Sequence, residues 1–135
     1  MADNILLEVV TPEKSVVSED VQIVMAPGSL GEFGVLSGHT PFLTTLKIGH
    51  LRYTDASGKE RYLFISGGFA EALPNKVTVL AESAERRRSI DLDRAKAAMQ
   101  RAQQRLDSKE QDVDFIRAKA ALERSIHRIS IAETR

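Results

Sequence analysis

The sequence predicts a β-plus-α protein, an N-terminal β-sandwich followed by a C-terminal antiparallel two-helix hairpin. Three observations lead there. All eight glycines and all four prolines lie at or before Gly68 and Pro74. Short segments of period-two apolar alternation recur before residue 84. After it, apolar residues recur at spacings of three and four. In a helix interior Gly costs about 1 kcal/mol and Pro about 3 kcal/mol, so their confinement marks where turns end and helix begins.

In the first part, strands are expected at residues 4–10, 21–26, 34–36, 42–46, 50–53, 61–66, 69–73 and 76–80. Val21, Ile23 and Met25 share one face of their segment, and Val77 and Val79 share one face of theirs. Pro27-Gly28, Asp55-Ala56-Ser57-Gly58, Gly67-Gly68 and Pro74-Asn75 supply turns between them. Short strands at this spacing indicate a sandwich or barrel, because no helical segment separates them as a βαβ sheet requires.

The second part starts at Ser89, read as the N-cap of the first helix, with Asp91 and Asp93 in the first turn where the helix dipole favours acid. Ala95, Ala98, Ala102 and Leu106 then follow one face. A polar break from Asp107 to Asp114 leads to a second helix with Phe115, Ala118, Leu122, Ile126 and Ile129 on one face. Each helix should run for about 18 residues, or about 27 Å. The alanine-rich seam buries little area and implies modest docking energy. No internal repeat or low-complexity tract is read along the chain. The domains are thus expected at 1–84 and 85–135.

Composition narrows the function. The 135 residues are 42% apolar and 28% charged, without tryptophan, so one aliphatic core is expected. Cysteine is absent, which excludes disulfides, thiolate nucleophiles and sulfur-ligated metals and fits a reducing compartment. Met1-Ala2-Asp3-Asn4 carries acid where a signal peptide carries base, and no apolar run approaches the roughly 18 residues of a span. A soluble chain, or one peripheral to something larger, is expected. Zero net charge argues against a nucleic-acid binder. It conceals an asymmetry, with 6 Lys/Arg against 10 Asp/Glu in residues 1–84 and 13 against 9 in residues 85–135.

No catalytic or metal site can be assembled from these residues. His39, His50 and His127 lack metal-ligand spacing, and neither a P-loop nor a nucleophile elbow is present. Gly28-Ser29-Leu30-Gly31-Glu32-Phe33-Gly34 lacks the lysine and following helix of a phosphate cradle, so it reads as β-turns. Glu32 then reads as a turn carboxylate and His39 as a loop histidine. In the helical part, Asp91 and Arg94 share a face, and Arg101 lies seven residues beyond Arg94 on it. Arg128 could face them across the hairpin. Such arginines can clamp phosphate, and a nearby carboxylate can accept from an amino group on a base. The same spacing also describes ordinary surface ion pairs.

Taken together, three segments resemble the epsilon subunit family of F-type ATP synthases over essentially the whole chain. They are Gly28 through Pro41, Ile65-Ser66-Gly67-Gly68-Phe69, and Val77-Thr78-Val79-Leu80-Ala81. Ile90-Asp91-Leu92-Asp93-Arg94-Ala95 resembles the Ile/Leu-Asp-x-x-Arg-Ala motif through which some bacterial members bind ATP. The resemblance implies a non-catalytic central-stalk rotor subunit of a proton-translocating ATP synthase, peripheral on the cytoplasmic face of the bacterial plasma membrane and touching the membrane only through the complex. It implies the gamma subunit and the c-ring as partners, with Glu32 and His39 in the loop facing the ring. It also implies a hairpin that folds on the sandwich or extends toward the catalytic alpha and beta subunits, inhibiting hydrolysis when extended. The family's nucleotide pattern falls on Glu85, Ile90, Asp91, Arg94 and Ala95, with Arg101 and Arg128 in support. ATP would be a regulatory ligand there, with no cofactor required.

Two other classes compete. A free-standing ATP-sensing module would bind nucleotide and need no complex. A nucleic-acid adaptor using Arg86, Arg87 and Arg88 would bind with steep salt dependence, which the neutral total charge and scarce aromatics oppose.

Overall fold

The computed structural model describes residues 3–108 and 114–134. It divides into two compact units that meet at the Arg86–Arg87 bond. The first contains seven strands: β1 (Ile5–Val10), β2 (Ser15–Gly28), β3 (Gly31–Val35), β4 (Phe42–Leu46), β5 (Gly49–Asp55), β6 (Glu60–Leu73) and β7 (Lys76–Arg86). The second contains a 3-10 turn at Arg87–Ser89 and two helices, α1 (Leu92–Asp107) and α2 (Phe115–Ala132). The sandwich-then-hairpin architecture is the one expected.

The sandwich closes through β1. This strand pairs antiparallel with β2 and parallel with β7. β7 pairs with β6, β6 with β4 and β5, and β5 with β2, so the ladder returns to its start. Alternation sends Ile5, Leu7 and Val9 of β1 inward beside Val17, Val21 and Val24 of β2 and Val77 and Val79 of β7. The core is mostly aliphatic, with Tyr53 and Phe64 the fully buried aromatics among the described residues.

Four elements differ from expectation. β2 starts at Ser15, not residue 21, because residues 15–21 pair with β1 and tolerate the polar Ser18, Glu19 and Asp20 there. The strands expected at 61–66 and 69–73 form one, β6, with Gly67 and Gly68 inside it at φ +71° and +118°. A Cβ on Gly68 would lie 2.0 Å from the Leu80 carbonyl oxygen, so glycine here permits close strand approach where a turn was expected. β3 begins at Gly31, and β7 continues to Arg86.

In the hairpin, Asp91 caps α1, accepting from the Arg94 backbone N–H at 3.1 Å, and Ser89 ends the preceding 3-10 turn. Ser and Asp are comparable caps, and Asp91 stands directly before the first helical residue. Asp114 caps α2 in the same way, accepting from Arg117 N–H at 3.0 Å. The α1 seam contains buried Ala95 and Ala102. On α2 the buried face runs through Ala118 and Ser125, while Phe115 and Ile126 are about half exposed. Ser125 can occupy the seam because its hydroxyl donates to the Ala121 carbonyl at 2.9 Å.

Candidate functional site

The segment from the β2–β3 turn to the start of β4 carries Glu32 and His39. Glu32 lies on β3, exposed, with one oxygen 3.4 Å from Arg52, which also faces Glu60 at 3.7 Å. His39 Nδ1 lies 2.6 Å from the Thr40 carbonyl. Its ring packs edge-on against Phe42 at 5.0 Å, and Phe42 packs against Phe33 at 5.1 Å. The aromatic chain thus runs from His39 through Phe42 to Phe33, while the charged partner of Glu32 is Arg52. Leu30, at the tip of the β2–β3 turn, is fully exposed, and Leu36 is largely so. The turn is fixed beneath Leu30 by Ser29 N–H to the Thr45 carbonyl at 2.9 Å and Thr45 Oγ1 to Ser29 Oγ at 2.7 Å.

The outward face of the sheet holds an apolar patch that sequence reasoning missed. Phe69 of β6 sits opposite Thr45 of β4 on one side and Leu80 of β7 on the other. Leu43, Phe69 and Leu80 are all more than half exposed. Each occupies an outward position of its strand, where alternation calls for a polar residue. That local breach of alternation was the available signal.

The nucleotide candidates are distributed over both units. Glu85 lies on β7, half-buried and opposite Phe64. Ile90 donates its N–H to the Arg87 carbonyl at 3.2 Å, just before the Asp91 cap. Arg94 and Arg101 are exposed on α1, Ala95 is buried in the seam, and Arg128 is half-buried on α2. Lys96 Nζ lies 3.9 Å from Glu133 Oε1, a contact that marks the stagger of the helices. Five residues down α1 and five up α2 from that pair bring Arg101 level with Arg128. Arg94 lies two turns, about 10 Å, nearer the start of α1.

The two flanks of the hairpin differ. On one, Lys96, Met99, Gln100, Ile126, Ile129, Ser130 and Glu133 line an open groove of about 450 Å³. Arg94 and Arg128 each stand two positions from a groove residue, hence roughly 200° around their helices, on the other flank. Arg101 follows Arg94 at seven residues and joins them. These three arginines gather on one flank, and Met99, Ile126 and Ile129 lie on the other beside Lys96.

The motif on α1 has a counterpart. Asp91-Leu92-Asp93-Arg94-Ala95-Lys96-Ala97-Ala98 and Asp114-Phe115-Ile116-Arg117-Ala118-Lys119-Ala120-Ala121 share six of eight residues, an internal repeat where none was expected. The geometry repeats too. Each Asp caps through the Arg backbone N–H, each Ala N–H donates to the Asp carbonyl at 3.0 Å, and each Ala is buried. Asp and Ala in this motif therefore have folding roles on both helices. The α2 copy is also followed seven residues on by an arginine, Arg124, so the interval from Arg94 to Arg101 is repeated on the second helix.

Among the described residues, no group of His, Asp or Glu could hold a metal ion, and no helix is long and apolar enough to cross a membrane.

Comparison with known proteins accounts for both units. Residues 4–87 match the family model of the ATP synthase, Delta/Epsilon chain, beta-sandwich domain, and residues 88–133 match that of the long alpha-helix domain. The chain is 70% identical to an ATP synthase epsilon chain of Desulfatibacillum aliphaticivorans over 100% of this chain and 96% of that one. It is 66% identical to that of Desulforapulum autotrophicum over the full length of both. In a cryo-EM structure of the Euglena gracilis mitochondrial ATP synthase comprising OSCP, F1 and c-ring, one chain superposes with a TM-score of 0.79 at 27% identity. The match covers 91% of this chain and 78% of that one. The chain belongs to the ATP synthase delta/epsilon chain family, as a structural and regulatory subunit rather than a catalytic one.

Proposed function

We propose that this chain is a central-stalk rotor subunit of a proton-translocating bacterial ATP synthase, peripheral on the cytoplasmic face of the membrane, whose hairpin binds ATP as a regulatory ligand and inhibits hydrolysis when extended. The regulatory part is supported by the count from Lys96 and Glu133, which brings Arg101 and Arg128 to one height, with Arg94 on the same flank. Two arginines on facing helices can grip phosphate only while the helices are adjacent. ATP then favours the closed hairpin by its differential affinity for that form. Asp91 and Ile90 complete the hairpin's part of the nucleotide set in this reading, with the Asp91 carboxylate divided between capping and ligand.

The partners follow from the surfaces. The patch of Leu43, Phe69 and Leu80 suits the gamma subunit, because an apolar sheet face gains most from being covered. Glu32, His39 and exposed Leu30 form the end that meets the c-ring. The arginine flank suits acidic surface on the catalytic alpha and beta subunits. A free-standing ATP sensor is disfavoured by the full-length similarity to ATP synthase epsilon chains. On size-exclusion of native extracts the chain should run with the synthase, and a chain that runs alone reinstates the sensor.

The nucleotide reading is tested by calorimetric titration of the full chain with ATP. Arg94→Ala and Arg101→Ala should each weaken binding by about tenfold or more, the worth of one charge-assisted contact. Lys119→Ala, an exposed cation on α2, should not. Equal affinities across all three variants would reduce the arginines to surface charges.

A further inference from the structure

The junction holds two consecutive arginines with opposite commitments. Arg86 is fastened within the sandwich unit, its Nε donating to the Val16 carbonyl at 3.1 Å and its Nη1 to the Tyr53 hydroxyl at 3.2 Å. Arg87 is fastened within the hairpin unit, its Nη1 donating to the Thr134 carbonyl at 2.9 Å. We infer that Arg87 is a latch, holding the C-terminal end of α2 to the root of the hairpin so that α2 cannot part from α1 until this contact breaks.

Three features support the assignment. First, Thr134 is itself locked to α2, its hydroxyl donating to the Ser130 carbonyl at 2.8 Å and its N–H to the Ile131 carbonyl at 3.1 Å. A pull on the Thr134 carbonyl is therefore a pull on the last turn of the helix. Second, the last turn of α2 carries no basic residue. The partial negative charge of that helix end meets a cation supplied from outside the helix, which is the favourable arrangement. Third, the buried residues Ala95, Ala102, Ala118 and Ser125 are small, and the one large apolar side chain buried on the described helices, Ile131, lies in the same last turn of α2. With little apolar area to separate, one charge-assisted bond is a large share of what keeps the helices together. Parting of α1 from α2 breaks the contact of Arg87.

This inference rests on reading the hairpin as an element that opens, and it is tested without nucleotide. The chain has no cysteine, so Ser89→Cys and Ser130→Cys can carry a spin-label pair on the full-length protein. Arg87→Ala should raise the open population about tenfold relative to wild type. Arg88→Ala, which removes the same charge from an exposed neighbour, should leave it unchanged, and Arg87→Lys should fall between. Amide hydrogen exchange supplies a readout that works even if the open form is rare. In Arg87→Ala, amides in the last turn of α2 and those around Leu122 and Ser125 should speed up together. Acceleration confined to the last turn would make Arg87 a mere end cap, and unchanged distances and exchange would remove it as a latch. Neither result would bear on ATP affinity measured by calorimetry, so this inference and the nucleotide reading fail separately.

Discussion

The guanidinium of Arg86 lies 3.2 Å from the Tyr53 hydroxyl, and that hydroxyl also bonds Glu19. The last residue of β7 is thereby tied to β5 and β2 in the interior of the sandwich. Truncation after Arg86 should leave a folded sandwich. Truncation after Ala84 removes the tie together with the final pairs to β6. The shorter form should lose about 1–2 kcal/mol and about 5–10 °C in Tm by comparison. Thermal unfolding followed by circular dichroism measures the difference, and equal midpoints would make the Arg86 contacts incidental.

The same network sets an alkaline limit. Burial of Tyr53, and then its bond to Glu19, push the phenol from its ordinary 10.0 up to about 12, against the opposing influence of Arg86. The folded state holds the proton more tightly than the unfolded state, so this contribution is full below pH 10. It declines as pH rises toward 12. In a Tyr62→Phe background, the remaining phenol should titrate near pH 12 by ultraviolet absorbance. Adding Tyr53→Phe should flatten the alkaline limb of stability. A midpoint near 10 in the folded protein would contradict the buried network.

Asp55 sets the acid limb. Its carboxylate accepts from Ser57 Oγ at 2.6 Å, Ser57 N–H at 3.0 Å, Lys59 N–H at 2.9 Å and Arg61 Nε at 3.2 Å. The Ser57 hydroxyl first, then the Lys59 amide, lower its pKa from 3.8 to about 2. The stabilisation is complete above pH 3.8 and is lost as pH falls toward 2. Asp55→Asn should lower stability at neutral pH and shed part of the decline in that window. Parallel acid limbs in wild type and variant would assign the acid sensitivity elsewhere.

Gly68→Ala should unfold the sandwich or cost it more than about 3 kcal/mol, because backbone atoms of Leu80 and Ala81 block the new methyl. Gly58→Ala, at φ +91° with nothing near its Cβ, should cost only about 1–2 kcal/mol of backbone strain. Denaturant midpoints of the pair separate the steric from the torsional effect. Similar losses would mean that β6 and β7 can move apart.

Asp91 permits a division of labour to be measured. Asp91→Asn keeps an acceptor for the Arg94 N–H, whereas Asp91→Ala removes it, at a cost of about 1 kcal/mol in helix stability. If the carboxylate also meets nucleotide, Asn should retain helix content and lose ATP affinity in calorimetry. Retention of both would leave capping as its sole role.

The fold was legible where each strand or helix announces itself locally. Alternation correctly paired Val77 and Val79 on the buried face of β7, whereas in β2 a register shift between Val21 and Ile23 buries Val24 and Ala26 in place of Ile23 and Met25; the change to helical spacing located the hairpin. The first half of β2 was hidden because Ser18, Glu19 and Asp20 dilute its pattern, and only pairing with β1 reveals it as a strand. The continuity of β6 was hidden because a Gly-Gly pair normally signals a turn, and the tight approach of Leu80 is a tertiary fact. At the candidate site, the seven-residue interval from Arg94 to Arg101 could be read directly. The level placement of Arg101 and Arg128 could not, since it depends on the stagger marked by Lys96 and Glu133. The patch around Phe69 likewise needed the register of three strands.

The position of β1 between β2 and β7 also dictates an order of assembly. Leu6 through Val10 pair with Lys76 through Leu80, partners seventy residues apart in the chain. During synthesis the first strand must wait for the last one, with its ladder edge open until β7 emerges. Such distant pairing makes folding of the sandwich slow. The hairpin joins neighbours in the chain and closes rapidly once both helices are made. The later-made unit thus reaches its own shape almost as soon as it is synthesised, while the earlier-made one is governed by its slowest and most distant contact.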